Sequence, residues 1–357
     1  MANPNTNTNL PRTQRALIYP TLSPPTTSSL ILTTTAPLPH PSPSELLIRV
    51  HSTAITNKEL TWAPYVNWPS EHVPCYDVSG TIVSTAPASP FKIGDVIYGR
   101  VDGNREGTAR EYATILSSEA ALVPKVLVER GAEGMDEAAS IPMSALTAWQ
   151  GLFEHGGLVT GEYTASNVPR VSETGEVVGG QAEGKRVLVL GAAGGVGLMA
   201  VQFARIAGAW VVGTASGGNE ELVKRAGADE VVDYRKVSMK EWVAGDEGKK
   251  FDLVLDCVGG ESMLDGWNAV KGDGVYVSVA PGFRKPDEGG KYGGVRSAWF
   301  VMESRGSELE GIGKFIEKGL VRGAVDSVWK FKEFNEAFEK TAGGHARGKV
   351  VIRIAEE

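Results

Sequence analysis

A glycine-rich turn between a strand and a helix restricts most what this chain can fold into. The apolar run RVLVL at 186–190 leads into GAAGGVG at 191–197, and an amphipathic helical pattern follows. Such a turn brings backbone amides close to a pyrophosphate, and the helix N-terminus adds a favourable partial charge. The motif alone is weak evidence, because tight strand-to-helix turns need glycine for steric reasons as well.

The segments after the turn strengthen the interpretation of the turn as part of a dinucleotide-binding site. Helical stretches alternate with the apolar runs WVVGT, EVVDY, FDLVLDCVG, GVYVSVA and RSAWFVM. Continuous apolar runs are typical of strands buried on both faces of a parallel sheet. Six strands with crossover helices predict an α/β domain with a Rossmann-type, doubly wound parallel sheet, and therefore dinucleotide binding.

The two ends of the chain have a different texture. From residue 46 to 123, short β-like runs alternate with turn residues, which predicts an antiparallel barrel or sandwich. A helix is predicted over 135–153, and a stretch rich in Gly, Glu and Thr at 156–184 is interpreted as an exposed insertion or linker. The tail, with a helix at 306–319 and the β-like runs VDSVWKF and GKVVIRI, is expected to return to the first domain.

Length and composition bound the class of protein. A chain of 357 residues predicts two domains, and the boundaries are placed at 15–148 plus 304–357 for one and 149–303 for the other. A net charge of -7 gives no reason to expect nucleic acid or an anionic membrane as partner. No apolar run reaches the length of a membrane span.

The N-terminus and the cysteines bear on location. Only two cysteines occur, which excludes a disulfide framework and favours a reducing compartment. The first 44 residues contain no Asp or Glu, as in some organelle-targeting peptides. Prolines interrupt any amphipathic helix there and RALIY already resembles a strand, so a disordered leader over 1–14 and a cytoplasmic protein are expected.

The strand that follows the first helix indicates which dinucleotide binds. NAD sites usually carry an Asp or Glu at the end of this strand to hold the ribose 2'-hydroxyl. WVVGTASGG at 210–218 has no acid, which favours NADPH (NADP+). Ser216 and Tyr234 could donate hydrogen bonds to a 2'-phosphate, and Lys224 and Arg225 are the nearby cations.

Several motifs together resemble one known family, the medium-chain dehydrogenase/reductases, and within it the zinc-independent, zeta-crystallin-like quinone oxidoreductases. They are PCYDVSG, FKIGDVIYG, GTAREYA, AASIPMSALTAWQGL, GAAGGVG, RAGADEVVDY and HARGKVVI, in order along the chain. The resemblance implies a GroES-like β-barrel domain formed by both chain ends, with the Rossmann domain inserted between them. It also implies a site in the cleft and a possible homodimer.

The resemblance also locates the positions at which zinc-dependent relatives hold the catalytic metal. Carried over residue by residue, these positions are Thr56, Tyr76 and Met143. None is a normal zinc ligand, since tetrahedral zinc needs Cys, His or carboxylate donors. The four clustered cysteines of the structural zinc site are absent as well, so no metal is expected.

Loss of zinc narrows the predicted chemistry. Hydride addition to an isolated ketone makes a localised alkoxide, which a Lewis acid would stabilise. A quinone or an α,β-unsaturated ketone or aldehyde instead gives a delocalised product anion, for which hydrogen-bond donors can suffice. The expected substrate is a small conjugated carbonyl, and the candidate catalytic residues are Tyr76, Thr56 and Asn57. Trp62, Tyr65 and Trp68 could cover a flat substrate.

The candidate cofactor contacts lie in the glycine turn, on the helix before the Rossmann domain, or at strand carboxyl ends, where open α/β sheets bind ligands. Beside Ser216 and Tyr234 they are Thr147, Gly191, Gly194, Gly195, Val196, Gly197, Cys257, Val258, Val279, Ala280, Phe300 and Val301.

Two alternatives stay open. One is a trans-acting enoyl-thioester reductase of a biosynthetic pathway, and the other is a non-catalytic NADPH-binding regulatory or structural protein. A short-chain reductase is disfavoured because no tyrosine has lysine four residues later. A serine hydrolase is disfavoured because no G-x-S-x-G motif occurs.

Overall fold

The computed structural model describes residues 10–20, 29–66, 68–85, 88–159, 161–180, 182–287 and 289–355. The chain forms two compact units, of which the first comprises Met1–Met143, Glu303–Glu317 and Gly323–Glu357. The second unit comprises Ser144–Met302 and Lys318–Arg322. Most of the predicted leader lies outside the described residues, and the first strand begins at Thr13, two residues before RALIY.

The N-terminal part of the first unit is a set of short strands followed by helices. The strands are β1 (Thr13–Pro20), β2 (Ile31–Pro37), β3 (Glu45–Ile55), β4 (Glu71–His72), β5 (Asp77–Ser84), β6 (Val96–Arg100), β7 (Tyr112–Leu116) and β8 (Ala120–Leu122). The helices are α1 (Lys125–Val128), α2 (Ala132–Ser140) and α3 (Pro142–Trp149). Strand β3 is the centre of the main sheet and pairs antiparallel with β5 and β7.

The single helix expected over 135–153 is wrong in detail. Helix α2 ends at Ser140, α3 starts at Pro142, and a π-helical turn spans Gln150–His155. Proline has no backbone N–H to donate inside a helix but fits the first position of a new one, so the chain restarts there.

The second unit contains a six-stranded parallel sheet. The strands of this sheet are β11 (Arg186–Leu190), β12 (Trp210–Ala215), β13 (Glu230–Asp233), β14 (Phe251–Asp256), β15 (Val270–Ser278) and β16 (Arg296–Trp299). Before them, β9 (Arg170–Val171) and β10 (Val177–Val178) form a separate antiparallel hairpin in the predicted insertion. The helices of the second unit are α4 (Gly195–Ile206), α5 (Glu220–Arg225), α6 (Met239–Trp242) and α7 (Gly260–Gly266).

The order of the parallel strands is β13-β12-β11-β14-β15-β16. The direction of winding reverses between β11 and β14, and ligands of doubly wound sheets bind at such a switch point, beyond the strand carboxyl ends. The strands are buried runs; Val187, Leu188, Val189 and Leu190 of β11 are all 0% exposed. The predicted Rossmann domain is therefore confirmed as a fold.

The last segment completes the first unit. It contains α8 (Gly306–Glu317), β17 (Val325–Lys330), α9 (Phe334–Ala342) and β18 (Lys349–Arg353). Strand β18 pairs antiparallel with β3, with Val350 opposite Ile55, so the chain end lies against the N-terminal sheet as expected. This register brings Lys349, at the start of β18, next to Thr56, just after the end of β3.

Candidate active site

The backbone conformation and packing of the turn require glycine at positions 191 and 197 but not at 194. Gly191 needs its freedom because its φ is +77°. A Cβ on Gly197 would lie 2.2 Å from the carbonyl oxygen of Gly191, so close packing of α4 requires glycine there. A Cβ on Gly194 would meet nothing nearer than 3.5 Å, which is an ordinary contact. The backbone at Gly194 therefore leaves open space at the N-terminus of α4, where helices favour anionic groups.

The loops after β14 and β15 are held in place by a buried carboxylate. Asp256 is 0% exposed, and its Oδ1 accepts hydrogen bonds of 2.9 Å from the backbone N–H groups of Val258 and Gly259. Its Oδ2 accepts a bond of 2.7 Å from the Ser278 hydroxyl. Asp256 thereby fixes the loops that carry four predicted cofactor contacts, Cys257, Val258, Val279 and Ala280. Burial raises the pKa of the Cys257 thiol, so this side chain is not a nucleophile at neutral pH.

Four further predicted cofactor residues lie after the carboxyl ends of strands in the parallel sheet, and a fifth, Thr147, lies on α3. Ser216 follows β12, Tyr234 follows β13, and Phe300 and Val301 follow β16. Phe300 is buried, whereas Val301 and Tyr234 are exposed. Thr147 is buried on α3, away from the glycine turn in sequence.

The end of β12 has an acid and a base beside it that sequence reasoning missed. A Cβ built on Gly217 would lie 2.8 Å from Asp233 Oδ2 and 4.0 Å from Lys236 Nζ, so both side chains border this loop. Their charged groups are 3.6 Å apart. The predicted cation Lys224 is instead paired with Glu220 at 2.7 Å.

In the first unit, Lys349 connects two of the candidate active-site positions. Its ammonium donates to Thr56 Oγ1 at 3.1 Å and lies 2.9 Å from Asp77 Oδ2. Asp77 is 0% exposed and its Oδ1 accepts a bond of 2.7 Å from the backbone N–H of Met143. The Thr56 hydroxyl donates to Met143 Sδ at 3.1 Å. The structure therefore brings Thr56 and Met143 together around a lysine that sequence reasoning did not single out.

A second buried carboxyl group shapes the loop around Thr56. Glu59 is 1% exposed and accepts hydrogen bonds from the backbone N–H groups of Thr56 (2.9 Å) and Cys75 (3.0 Å). Burial raises the pKa of Glu59 to about 7, although these bonds and the Lys349 charge oppose the increase. Cys75 has a φ of +65°, a left-handed conformation that turns its N–H toward this carboxyl group. Asn57, the neighbour predicted to act in catalysis, is exposed.

Tyr76 lies in a stack of aromatic rings. The phenol is 0% exposed, and its hydroxyl lies 2.8 Å from His72 Nε2. The indole of Trp62 stacks on the Tyr76 ring with centroids 5.4 Å apart, and Trp68 stacks on His72 at 4.1 Å. Tyr65, which was expected to cover a substrate with these two tryptophans, is 86% exposed.

The residues at the three zinc positions do not fit a zinc ion. A hydroxyl, a phenol and a thioether supply neither thiolate, imidazole nor carboxylate. The Lys349 ammonium already donates to Thr56, and a cation there disfavours a second one. Among the residues that the structure describes, no group of three or more His, Cys, Asp or Glu side chains could hold a metal ion.

A doubly wound sheet with a glycine turn open to a ligand, combined with a GroES-like unit, defines a nicotinamide-dependent oxidoreductase. Family models agree: residues 42–125 match the alcohol dehydrogenase GroES-like domain, and residues 226–352 match a zinc-binding dehydrogenase domain. A probable zinc-binding mitochondrial oxidoreductase of Arthroderma benhamiae is 40% identical, with 97% of this chain and 98% of that protein covered. The chain belongs to the medium-chain dehydrogenase/reductase superfamily and is quinone-oxidoreductase-like.

Other similar proteins widen the comparison. A mitochondrial NAD(P)H oxidoreductase of Danio rerio is 33% identical over 79% of this chain and 72% of its own length. A 2-methylene-furan-3-one reductase of Solanum lycopersicum is 32% identical over 80% of this chain and 64% of its own length. The solved quinone oxidoreductase of Coxiella burnetii has the same fold, with a TM-score of 0.77, 23% identity and coverage of 96% of this chain and 100% of that one.

The comparisons correct one prediction, that of a cytoplasmic protein. The fungal relative and the fish relative are both named as mitochondrial, so the cytoplasmic location is wrong. The acid-free N-terminal segment was compatible with organelle targeting, and the prolines in it were given too much weight. No helix among the described residues is long and apolar enough to cross a membrane.

Proposed function

We propose that the protein is a mitochondrial, zinc-independent reductase that transfers hydride from NADPH to a small conjugated carbonyl, either a quinone or an α,β-unsaturated ketone or aldehyde. The observation that carries this proposal is the contact between Lys349 Nζ and Thr56 Oγ1. This contact supports the proposal because it polarises a hydroxyl donor with a fixed positive charge, and the family resemblance matches Thr56 to a metal-holding position of zinc-dependent relatives.

Thr56 is the group proposed to stabilise the substrate oxygen. Its hydroxyl now donates to a thioether, which is a weak acceptor, and a carbonyl oxygen is a stronger one. Lys349 donates to the same hydroxyl oxygen, and a donor that itself accepts a hydrogen bond is strengthened. One preorganised donor of this kind is worth about 10² to 10³ in rate. That is adequate for a delocalised enolate or hydroquinone anion but small for a localised alkoxide.

Tyr76 is proposed to supply the proton, and Asn57 to border the substrate. Each product needs one proton beside the hydride, and the Tyr76 phenol is an O–H donor at another of the positions matched to the zinc ligands of relatives. NADPH is proposed over NADH because β12 itself ends without an acid and Lys236 lies beside Gly217, where its charge offsets that of the neighbouring Asp233. The relatives' names, which include an NAD(P)H oxidoreductase and an enone reductase, support the reaction class, and two of them support the location.

A substrate panel tests the proposal. NADPH oxidation is followed with quinones, 2-alkenals, enoyl thioesters and saturated ketones, after dialysis against a chelator. Turnover with quinones or 2-alkenals, and none with saturated ketones, is expected. Turnover with enoyl thioesters alone would favour the biosynthetic reductase. Quenching of tryptophan fluorescence by NADPH without turnover on any compound would overturn the reductase proposal.

A further inference from the structure

His72 lies between a phenol and a carboxylate in the first unit. Its Nε2 is 2.8 Å from the Tyr76 hydroxyl, and its Nδ1 is 3.3 Å from Glu106 Oε1. Tyr76 and His72 are buried, whereas the side chain of Glu106 is 36% exposed. The three groups therefore connect the surface of the first unit to a buried hydroxyl.

The imidazole is held in one orientation from several sides. Trp68 stacks on it with an interplanar angle of 8°, and the Trp68 indole N–H donates to the Gly103 carbonyl at 2.7 Å. Glu106 Oε2 accepts a bond of 2.8 Å from the Val73 backbone N–H, which fixes the carboxylate. Both ring nitrogens of His72 consequently face a defined partner.

The charge of Glu106 decides what each partner does. Burial alone would raise the pKa of Glu106, but hydrogen bonds from His72 and the Val73 N–H, together with the charge of Arg110, hold it below its usual value. An ionised carboxylate only accepts, so Nδ1 of His72 carries a proton. Neutral His72 then accepts a hydrogen bond from the Tyr76 hydroxyl at Nε2. Protonated His72 donates to the Tyr76 oxygen instead and leaves the phenol proton available to another acceptor.

We propose that Glu106, His72 and Tyr76 form a relay that supplies the proton which a conjugated carbonyl needs after it has accepted hydride. This inference rests on the proposed function. NADPH, when bound, would supply the hydride and its electron pair to the β-carbon, and the carbonyl would become an enolate. The Tyr76 O–H bond breaks and its proton joins the enolate oxygen. The phenolate oxygen takes the Nε2 proton of the His72 imidazolium, and the neutral imidazole keeps its Nδ1 proton directed at Glu106. After the product leaves, one proton from solvent restores the imidazolium.

The groups around the relay require the two proton transfers to be closely coupled. Burial raises the pKa of Tyr76 and the nearby carboxyl groups of Glu59 and Glu106 raise it further, whereas Arg100, 5.9 Å from the ring centroid, opposes them. A free phenolate is therefore costly, and rapid return of a proton from His72 avoids it. The Trp62 indole, itself half-exposed, covers the phenol ring, so substrate must displace it to reach the hydroxyl.

The test compares the full-length wild type with H72Q and E106Q, in rate against pH and in hydride transfer. Gln at position 72 keeps a polar side chain but cannot be an imidazolium, and Gln at position 106 keeps the acceptor without the charge. For the wild type, kcat is expected to fall with rising pH as one group loses its proton. H72Q should lose about 10²-fold in kcat at low pH, and the dependence on pH should disappear. E106Q should change the dependence of kcat on pH, because it removes the negative charge that faces Nδ1 of His72.

Hydride transfer in the same samples separates this relay from the proposed function. Deuterium from [4-²H]NADPH is expected at the β-carbon of a 2-alkenal in the wild type. If the wild type, H72Q and E106Q all transfer deuterium with the same dependence on pH, the proposed relay is overturned but the proposed reductase activity stands. No transfer in the wild type would overturn both. If H72Q does not fold, the changed pH dependence of E106Q, whose side chain is partly exposed, decides alone.

Discussion

Lys349 and Asp77 form an ion pair in the interior of the first unit, with their charged groups 2.9 Å apart and their side chains 8% and 0% exposed. The pair joins β18 to β5, and it holds the lysine against Thr56. A positive charge is thus fixed by a buried negative one beside the Thr56 hydroxyl.

Removal of the lysine charge should affect stability and activity separately. K349M leaves Asp77 as an unpaired buried anion, which typically costs about 3–5 kcal/mol of unfolding free energy. The double variant D77N/K349M removes both charges and keeps Oδ1 for the Met143 N–H, so stability should largely return. Catalysis should stay low, because Thr56 is no longer polarised. Urea unfolding and kcat, measured on both variants, check this; full recovery of kcat in the double variant would contradict the role of Lys349.

Removal of the Thr56 hydroxyl should lower kcat for a 2-alkenal by about 10² to 10³-fold, as expected for the loss of one oxygen-stabilising donor. T56V removes the hydroxyl at nearly constant volume, and T56S keeps it as a matched control. T56S should retain most of the rate at saturating NADPH. Equal activity of T56V and wild type would show that the substrate oxygen binds elsewhere.

Two glycines of the turn should respond in opposite ways to alanine. G194A has room for its methyl group, so its unfolding free energy should change by no more than about 0.5 kcal/mol, as for an ordinary tolerated substitution. Its affinity for NADPH should fall by at least about tenfold, or roughly 1.4 kcal/mol. G197A should instead lose about 1–3 kcal/mol of stability through overpacking. Fluorescence titration and thermal unfolding distinguish them; unchanged NADPH affinity in G194A would place the pyrophosphate elsewhere.

The pair beside Gly217 should set the preference between cofactors. K236A removes a cation near the proposed 2'-phosphate, and D233N removes an anion. A hydrogen bond to a charged group contributes about 1.5–3 kcal/mol, so K236A should lower the ratio of kcat/KM for NADPH over NADH by about tenfold or more. D233N should raise the ratio. K224A is the control and should leave it unchanged, because Lys224 is paired with Glu220.

Glu59 should make stability depend on pH. Its pKa in the folded protein is about 7, above the value of 4.5 for an unperturbed side chain. The folded state therefore favours the protonated form, so this contribution is fully present below about pH 4.5 and decreases as pH rises through 7. The loss amounts to about 3 kcal/mol. The unfolding free energy of wild type relative to E59Q should fall across this range; a constant difference between the two proteins would contradict the shift.

The parallel sheet and its glycine turn were predictable because they are local patterns. A buried parallel strand is a continuous apolar run, and the turn after β11 needs glycine at defined positions, so both can be recognised without knowing the tertiary structure. The same holds for the carboxyl ends of β14 and β15, where Cys257 and Ala280 lie.

Residues that meet only in the folded chain were not predictable in this way. Lys349 and Thr56 are 293 positions apart, and only the pairing of β18 with β3 joins them. The contact of His72 with Glu106 depends on a loop whose course no periodicity indicates. Asp233 and Lys236 were missed because the expected acid was sought on β12, whereas Asp233 ends the neighbouring strand β13 and Lys236 follows it.

The position at which hydride enters the substrate tests the central claim most directly. The protein is dialysed against a chelator, its zinc content is measured, and a 2-alkenal is reduced with [4-²H]NADPH. If Thr56 and Lys349 replace the metal, NMR of the product should show deuterium on the β-carbon of a saturated aldehyde, at a rate unchanged by chelation. Deuterium on the carbinol carbon of an allylic alcohol, or activity that returns only when zinc is added, would contradict it.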